Sequence, residues 1–154
     1  MTYQLPKVWS AADSDQGKFS GINQPSAGAR FEQKLPVGKE PFQLYSLGTP
    51  NGVKVTIMLE ELLAAGITEA AYDLYKISIM DGDQFGSDFV KINPNSKIPA
   101  LLDQSGHKPI PVFESANILL YLAEKFGKLI PSDLTGRTEA VSYTHLTLPT
   151  TPYV

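Results

Sequence analysis

The feature that most constrains the fold is a proline at the head of an apolar run, Ile98-Pro-Ala-Leu-Leu-Asp103. Proline has no N–H to donate to a β-ladder, so Pro99 has to lie where a strand begins or at a sheet edge. An X-Pro bond at this point is also the realistic place for a cis peptide. A cis bond would turn the N–H and C=O of Ile98 outward, free to pair with an extended peptide ligand. Taken alone, the dipeptide favours the plainer alternative, a trans bond at a strand start.

The chain before this run predicts a strand, a turn and a helix. Residues 42–47 alternate between apolar and polar, residues 48–52 are turn-formers, and residues 53–65 follow a helical period. Thr49 is suited to be the N-cap and Pro50 the first helical residue, while Gly66 ends the helix. A hairpin turn at Asn51-Gly52 is the alternative, and the helical period after it argues against that alternative.

The other segments complete an α/β order. Residues 71–77 predict a second strand, residues 84–91 a short helix or loop, and residues 98–103 and 110–113 a hairpin. Residues 116–126 predict a helix with Ser115 as its N-cap. Because the apolar residues of this helix go most of the way round, we expect it to be covered on more than its sheet side.

Composition excludes several classes of function. The 154 residues are 42% hydrophobic and 19% charged, as in a globular protein, and the net charge of -3 gives no basic excess for nucleic acid or anionic lipid. We therefore expect no nucleic-acid or membrane partner and a cytoplasmic location. The chain has no cysteine, which rules out disulfides, thiolate metal sites and a protein thiol nucleophile. Asp81-Gly-Asp83 lacks the spacing of a calcium loop, so no metal is expected.

Two turns carry candidate chemistry. Thr49 and Asn51 put a hydroxyl and an amide at the start of the first helix, where a ligand thiol would be stabilised as thiolate. Ser115 begins the last helix without a capping-box partner, so its first-turn amides could take a carboxylate, and Glu114 an ammonium group. Alone, each pattern favours an ordinary helix cap, with Glu114 as a solvated carboxylate.

The order of these blocks resembles the glutathione transferases, and specifically their bacterial nu-class branch of disulfide-bond oxidoreductases. The resemblance covers residues 4–137. It rests on the following segments: Ser46-Leu-Gly-Thr-Pro-Asn-Gly52, Met58-Leu-Glu-Glu-Leu62, Asp81-Gly-Asp-Gln-Phe85, Asn93-Pro-Asn-Ser-Lys-Ile-Pro-Ala100, Phe113-Glu-Ser115 and Leu119-Leu-Tyr-Leu-Ala-Glu-Lys-Phe126, with Asn23-Gln-Pro25 upstream. It implies a thioredoxin-like α/β fold, a mixed four-stranded sheet in the order βαβαββα, with an extended N-terminal arm.

The resemblance also implies a ligand and a role for each site residue. Glutathione is the expected substrate or co-substrate, and a small disulfide or electrophile is its partner. Thr49, Pro50 and Asn51 would lie near the glutathione sulfur, and Ile98, beside Pro99, would pair with the cysteinyl unit. Glu114 and Ser115 would take the γ-glutamyl end. The remaining implied ligands are Gln84 and Lys97 toward the glycyl end and Asn23 from the arm.

The sequence divides into an arm (1–40), a glutathione-binding domain (41–131) and a linker with a foreign tail (132–154). Residues 1–40 have no sustained apolar period, so we expect the arm to be ordered only by docking. The family continues into a helical second domain and a homodimer, but residues 141–154 are threonine-rich with two prolines, and no helix is expected there. We therefore expect a truncated chain of low activity with an exposed apolar face on its last helix. A non-catalytic regulatory or binding module, as in yeast nitrogen regulators, is the alternative function.

Overall fold

The structure is a computed structural model and describes residue 22 and residues 27–146, with side chains as far as residue 142. The elements of this part are β1 (Phe42–Ser46), α1 (Pro50–Ala64), β2 (Tyr72–Lys76), α2 (Ser87–Ile92), β3 (Ala100–Asp103), β4 (Ile110–Phe113), α3 (Ser115–Phe126) and α4 (Leu134–Leu146). Through α3, this order is the predicted βαβαββα. Short 3₁₀ turns at Thr68–Ala70 and Asp83–Phe85 precede β2 and α2.

The four strands form one mixed sheet in the order β2-β1-β3-β4. β1 is parallel to β2 and antiparallel to β3, and β4 is antiparallel to β3 at the edge. Pro111 lies in this edge strand, and Pro99 immediately precedes β3. Both prolines therefore occupy positions where a missing ladder donor is tolerated.

β1 is buried on both faces and separates two apolar clusters. Phe42 and Leu44 face α1 and α3, whereas Tyr45 faces α2 and the arm. Leu44 is fully buried, so its truncation to alanine should cost about 2–5 kcal/mol of unfolding free energy. The two helical layers are thus fixed to the sheet by alternate residues of one strand.

Residues 27–40 of the arm dock against the α2 face of the sheet. Gln43 of β1 is fully buried; its Oε1 accepts from the N–H of Gly38 at 2.6 Å and its Nε2 donates to the carbonyl of Glu40 at 2.8 Å. The Tyr45 hydroxyl donates to the carbonyl of Pro36 at 2.8 Å, and burial raises the pKa of this phenol to about 12. A buried polar group requires such partners, so these side chains explain why the arm docks here.

α1 begins as the sequence predicts. The Thr49 hydroxyl accepts from the N–H of Gly52 at 3.2 Å, and Pro50 is the first helical residue. Asn51 and Gly52 therefore lie in the first helical turn and not in a hairpin. Gly52 is required by close packing, because a Cβ there would lie 2.1 Å from the carbonyl oxygen of Leu47.

α3 begins one residue earlier than predicted, so Ser115 is not its N-cap. The carbonyl of Glu114 accepts from the N–H of Ile118 at 2.9 Å, which makes Glu114 the N-cap and Ser115 the first helical residue. The reason is that β4 stays paired through Phe113, which lies opposite Ala100, so the chain must turn at once. Glu114 makes that turn with a φ of 65°, in the left-handed region that non-glycine residues rarely adopt.

The expectation of no helix in the threonine-rich tail is wrong for residues 141–146, which continue α4. Asp133 caps this helix, since its Oδ1 accepts from the N–H of Gly136 at 2.8 Å and its carbonyl from that of Arg137 at 3.0 Å. The segment contains no proline before Pro149, so a capped helix can propagate into it despite weak propensities. The cap at Asp133 thus has more influence on residues 141–146 than their low helix propensity has.

α4 packs beside α3 and covers part of its outer face. Arg137 pairs with Glu124, and Ala140 and Val141 line a groove of about 130 Å³ that also includes Leu119 and Leu120. These two leucines are half-buried. The face that we expected to be exposed is therefore partly covered by the chain's own next helix.

Candidate functional site

The candidate site lies along one edge of the sheet. Ser46 at the end of β1 lies opposite Lys76 at the end of β2, and Tyr45 lies opposite Ala100 at the start of β3. Ala100 in turn lies opposite Phe113 at the end of β4. The four segments that carry the predicted site residues all leave the sheet at this edge, in the spatial order 78–85, 47–51, 97–99 and 114–115.

The spacing of the strands sets the size of the ligand that this edge can hold. Neighbouring strands lie about 4.8 Å apart, so the start of α1 and the start of α3 are separated by about 10 Å across the sheet. An extended tripeptide is also about 10 Å long. A ligand of that length could contact the start of α1, the segment before β3 and the start of α3 at once.

The first turn of α1 leaves one main-chain donor open. Pro50 has no N–H, the N–H of Gly52 donates to the Thr49 hydroxyl, and that of Val53 donates to the carbonyl of Thr49 at 2.9 Å. The N–H of Asn51 remains without a partner among the described residues. At the positive end of the α1 dipole, the N–H of Asn51 is thus the main-chain donor that a ligand can use.

Two side chains add to that donor. Thr49 uses its oxygen as an acceptor, so its hydroxyl proton is available to a ligand atom. Asn51 has no side-chain hydrogen bond among the described residues, and its Oδ1 is buried. An O–H and an N–H at a helix start stabilise an anion such as a thiolate and lower the pKa of its parent thiol.

The Ile98-Pro99 peptide bond is cis, so the plainer alternative that the dipeptide alone favours is wrong. Ile98 is half-buried and Pro99 buried, and the main chain of Ile98 makes no hydrogen bond to another described residue. Its N–H and C=O are the polar groups that an extended ligand could pair with.

Asn93 holds the loop before Ile98, a role that our sequence reasoning missed. The side chain is fully buried; its Nδ2 donates to the carbonyl of Lys97 at 2.6 Å and its Oδ1 accepts from the N–H of Asn95 at 2.9 Å. The signal was present in the sequence, because asparagine often forms such a turn with the residue two positions on. Ser96 completes the turn with a φ of 53°.

The first turn of α3 is open. The N–H groups of Ser115, Ala116 and Asn117 have no partner among the described residues, and Glu114 makes no capping hydrogen bond through its side chain. Three adjacent amides at a helix start form a cradle for a carboxylate. Glu114 is exposed beside them and can meet a cation.

The remaining predicted ligands differ in their surroundings. Gln84 is 1% exposed; its Nε2 donates to the carbonyl of Ile79 at 3.2 Å, and its Oε1 has no partner in the described part of the chain. Lys97 is exposed, and its Nζ donates to the carbonyl of Ile22 at 3.4 Å, which brings the arm to this edge. Asn23 lies outside the described residues.

An apolar cleft lies next to this row and not on it. It has a volume of about 430 Å³ between the first turns of α1 and the end of β2, and its wall includes Leu47, Val53, Leu74 and Lys76. Val53 and Leu74 are exposed apolar side chains. This cleft opens beside the donors of Thr49 and Asn51, because Gly52 belongs to its wall.

The described part of the chain offers neither a metal cluster nor a membrane span. No three histidine, aspartate or glutamate side chains there come close enough together to hold a metal ion. None of the helices in residues 27–146 has the length and hydrophobicity needed to cross a bilayer.

Comparison with known proteins identifies the family. Residues 50–125 match the family model described as the glutathione S-transferase N-terminal domain. The disulfide-bond oxidoreductase YghU of Escherichia coli K12 is 62% identical over 92% of this chain and 49% of its own length. The chain spans about half to three-fifths of the length of the curated relatives that it matches first.

Solved structures agree with this match. The glutathione transferase YghU from Streptococcus pneumoniae, complexed with glutathione, superposes with a TM-score of 0.87 at 67% identity, over 96% of this chain and 58% of that one. A transferase from Burkholderia graminis, with two glutathione molecules bound per subunit, gives a TM-score of 0.60 at 49% identity, over 70% of this chain and 43% of that one. The fold is therefore the thioredoxin-like N-terminal domain predicted from the sequence, and the chain belongs to the glutathione transferase family.

Proposed function

We propose that the chain binds one glutathione along the row from α1 to α3 and that the corresponding full-length enzyme reduces small disulfides with two glutathiones. The γ-glutamyl carboxylate binds the open amides of α3, and its ammonium group binds Glu114. The cysteinyl unit pairs with the main chain of Ile98, and its sulfur meets Thr49 and Asn51. The glycyl end extends toward Gln84 and Lys97, with Asn23 closing over it.

One observation carries this proposal. The open donors of α1, the unpaired main chain of Ile98 and the open first turn of α3 lie in that order over about 10 Å of one sheet edge. A thiol, a peptide unit and a carboxylate follow one another in the same order along glutathione. Relatives with glutathione bound support the same ligand.

The chemistry follows from a stabilised thiolate. The bound thiolate attacks one sulfur of a disulfide, forms a mixed disulfide with that half and releases the other half, which takes up a proton. The thiolate of a second glutathione then attacks the glutathione sulfur of the mixed disulfide. This step releases oxidised glutathione and the second thiol, so two glutathiones are oxidised for each disulfide reduced. No protein cysteine is needed, and the chain has none.

The cleft beside α1 suits the second substrate. Its apolar wall at Leu47, Val53 and Leu74 can hold the carbon part of a disulfide or of an electrophile, and Lys76 can meet an anionic substituent. Attack on an electrophile at the same place gives a glutathione conjugate as a secondary activity. We further propose a cytoplasmic location, where reduced glutathione is available, and a homodimer for the full-length enzyme.

The test is a titration of the 154-residue chain with reduced glutathione, followed by amide chemical shifts, together with an assay of glutathione-dependent reduction of 2-hydroxyethyl disulfide. We expect shifts at Asn51, Ile98 and Ser115, and slow turnover. Thr49→Ala removes the free O–H donor, so turnover at pH 7 should fall about tenfold, as for a lost hydrogen bond to a charged group. Thr49→Ser should restore it.

Thr68→Ala is the matched control. Thr68 is an exposed threonine beyond the far end of α1, and its hydroxyl donates to the Oε2 of Glu69 at 3.4 Å, away from the row of donors and the cleft. Equal losses in Thr49→Ala and Thr68→Ala would show a general effect of losing a threonine hydroxyl and not a role at the sulfur. Glutathione binding without any reductase activity, in a full-length relative as well, would favour the regulatory alternative.

A further inference from the structure

The arm lies directly against the loop that carries Gln84. The N–H of Arg30 donates to the carbonyl of Phe85 at 2.8 Å, and the N–H of Ser87 donates to the carbonyl of Phe31 at 3.0 Å. Phe31 and Gly86 form a parallel bridge. The arm therefore acts as an extra extended segment along residues 85–87.

Gln33 fixes the same loop through its side chain. Its Nε2 donates to the carbonyl of Asp83 at 3.1 Å, and its main-chain N–H donates to the Ser87 hydroxyl at 3.0 Å. A Cβ on Gly86 would lie 2.2 Å from the Oε1 of Gln33, so the two residues are in close contact. Gln33 therefore holds the loop at both ends: at Asp83, the first residue of the 3₁₀ turn, and at Ser87, the first residue of α2.

The inner side of the loop has fewer constraints. Among the residues that the structure describes, the side chain of Gln84 donates to Ile79 alone, and its buried Oε1 has no partner. Asp83 accepts from the N–H of Ser78 at 2.8 Å through its Oδ2. The main-chain path on either side of Gln84 is therefore held by Asp83 from within and by Gln33 from the arm.

We propose that the arm is a brace for the glutathione site and that Gln33 and Ser87 are positioning residues, which act on the ligand through the Gln84 loop. This inference rests on the proposed function, because it assigns that loop to the glycyl end of glutathione. It makes glutathione affinity depend on a segment outside the sheet and helices of the domain. The sequence between residues 30 and 35 then matters for binding as much as the loop does.

The experiment compares Gln33→Ala with Gln104→Ala in the 154-residue chain. Gln104 holds the other end of the arm, since its Nε2 donates to the carbonyls of Gly38 at 3.3 Å and Glu40 at 2.8 Å. Both variants remove a glutamine that ties the arm down, but only Gln33 touches the loop. We expect glutathione to bind about fivefold more weakly to Gln33→Ala, the equivalent of one hydrogen bond, and less than about twofold more weakly to Gln104→Ala.

Hydrogen exchange of the amides of residues 83–87 is the second readout. It should rise in Gln33→Ala and stay unchanged in Gln104→Ala, with similar small shifts in melting temperature for both. Equal loss of affinity in the two variants, or no loss in either, overturns the brace. If the unsubstituted chain binds no glutathione, the proposed function fails separately, and unchanged exchange in Gln33→Ala then refutes the brace on its own.

Discussion

The starts of α1 and α3 lie at the same sheet edge, yet they offer different groups to a ligand. α1 satisfies its own first turn, with Thr49 as cap and Pro50 in place of a donor, and only the N–H of Asn51 has no partner among the described residues. α3 leaves three amides open behind Glu114, whose left-handed backbone makes the turn from β4. A single donor suits one atom such as sulfur, and three adjacent donors suit a carboxylate. A helix start can therefore suit either a single atom or a carboxylate, depending on how its first turn is capped.

The two helices also differ in how they are held. α1 is fixed by fully buried apolar residues such as Val55 and Leu59, and by an exposed hydrogen bond from the Tyr72 hydroxyl to Glu60 at 2.7 Å. α3 carries an additional polar anchor near its far end: Asp103 of β3 accepts from the Tyr121 hydroxyl at 2.6 Å and pairs with Lys125 at 2.8 Å. Because Glu114 caps α3 through its main chain and makes no side-chain capping bond, this anchor contributes to the position of the open amides.

The largest effect is expected when this anchor is broken. Asp103→Ala removes a 2% exposed carboxylate and leaves Tyr121 and Lys125 without their partner. The free energy of unfolding should fall by about 3 kcal/mol, measured by urea denaturation. Tyr121→Phe, which removes one hydrogen bond, should cost about 1 kcal/mol. A loss from Asp103→Ala no larger than that from Tyr121→Phe would contradict the anchor.

The next effect separates the charge of Glu114 from its backbone. Glu114→Ala and Glu114→Gly both remove the carboxylate that we propose as the partner of the ligand ammonium group, so each should weaken glutathione binding about tenfold by calorimetry. Only glycine relieves the cost of the φ of 65°, and it should raise the free energy of unfolding by about 1 kcal/mol relative to alanine. If the two variants have the same stability, the backbone is not strained.

The smallest effect is the pH dependence of the α3 anchor. Burial raises the pKa of Asp103, but hydrogen bonds from Lys125, Ser105 and Tyr121 outweigh burial and hold it below its usual value. Its contribution is therefore complete above the unfolded pKa of about 4 and is lost as the pH falls through the lower folded value. The stability advantage over Asp103→Asn, measured by melting temperature, should shrink between pH 5 and pH 3, as estimated from those values.

The same anchor is also weakened at high pH, where Tyr121 loses its proton. Burial and the bond to Asp103 raise the pKa of Tyr121 to about 12, so its contribution is complete below about pH 10 and is lost as the pH rises toward 12. Tyr121→Phe should show no such loss. α1 has no titrating group in its first turn, but its Glu60 accepts from the Tyr72 hydroxyl at 2.7 Å, and burial together with this bond raises the pKa of Tyr72 to about 12. α1 should therefore lose that contact over the same alkaline range.

Local patterns in the sequence predicted much of the fold. The alternation in β1, the Thr49-Pro50 start of α1 and the hairpin of β3 and β4 were all predicted, because each depends on contacts within a few residues. The predictions that failed concern the residues at which helices begin and end. The residue type of Ser115 predicts a cap, but the pairing of β4 moves the start of α3 to Glu114. The helix at residues 141–146 was missed because a cap at Asp133 outweighed local propensity.

By itself, the sequence determined the order of elements and the positions of proline and glycine, since missing donors and close approach act at single residues. It also placed the residues of the proposed site, although their roles came from the resemblance. Only the tertiary structure decided that the bond at Pro99 is cis, which amides stay open, and that Gln33 reaches the Gln84 loop. The last of these depends on a partner 50 residues away in the chain, Asp83, and no local pattern can specify a partner that distant.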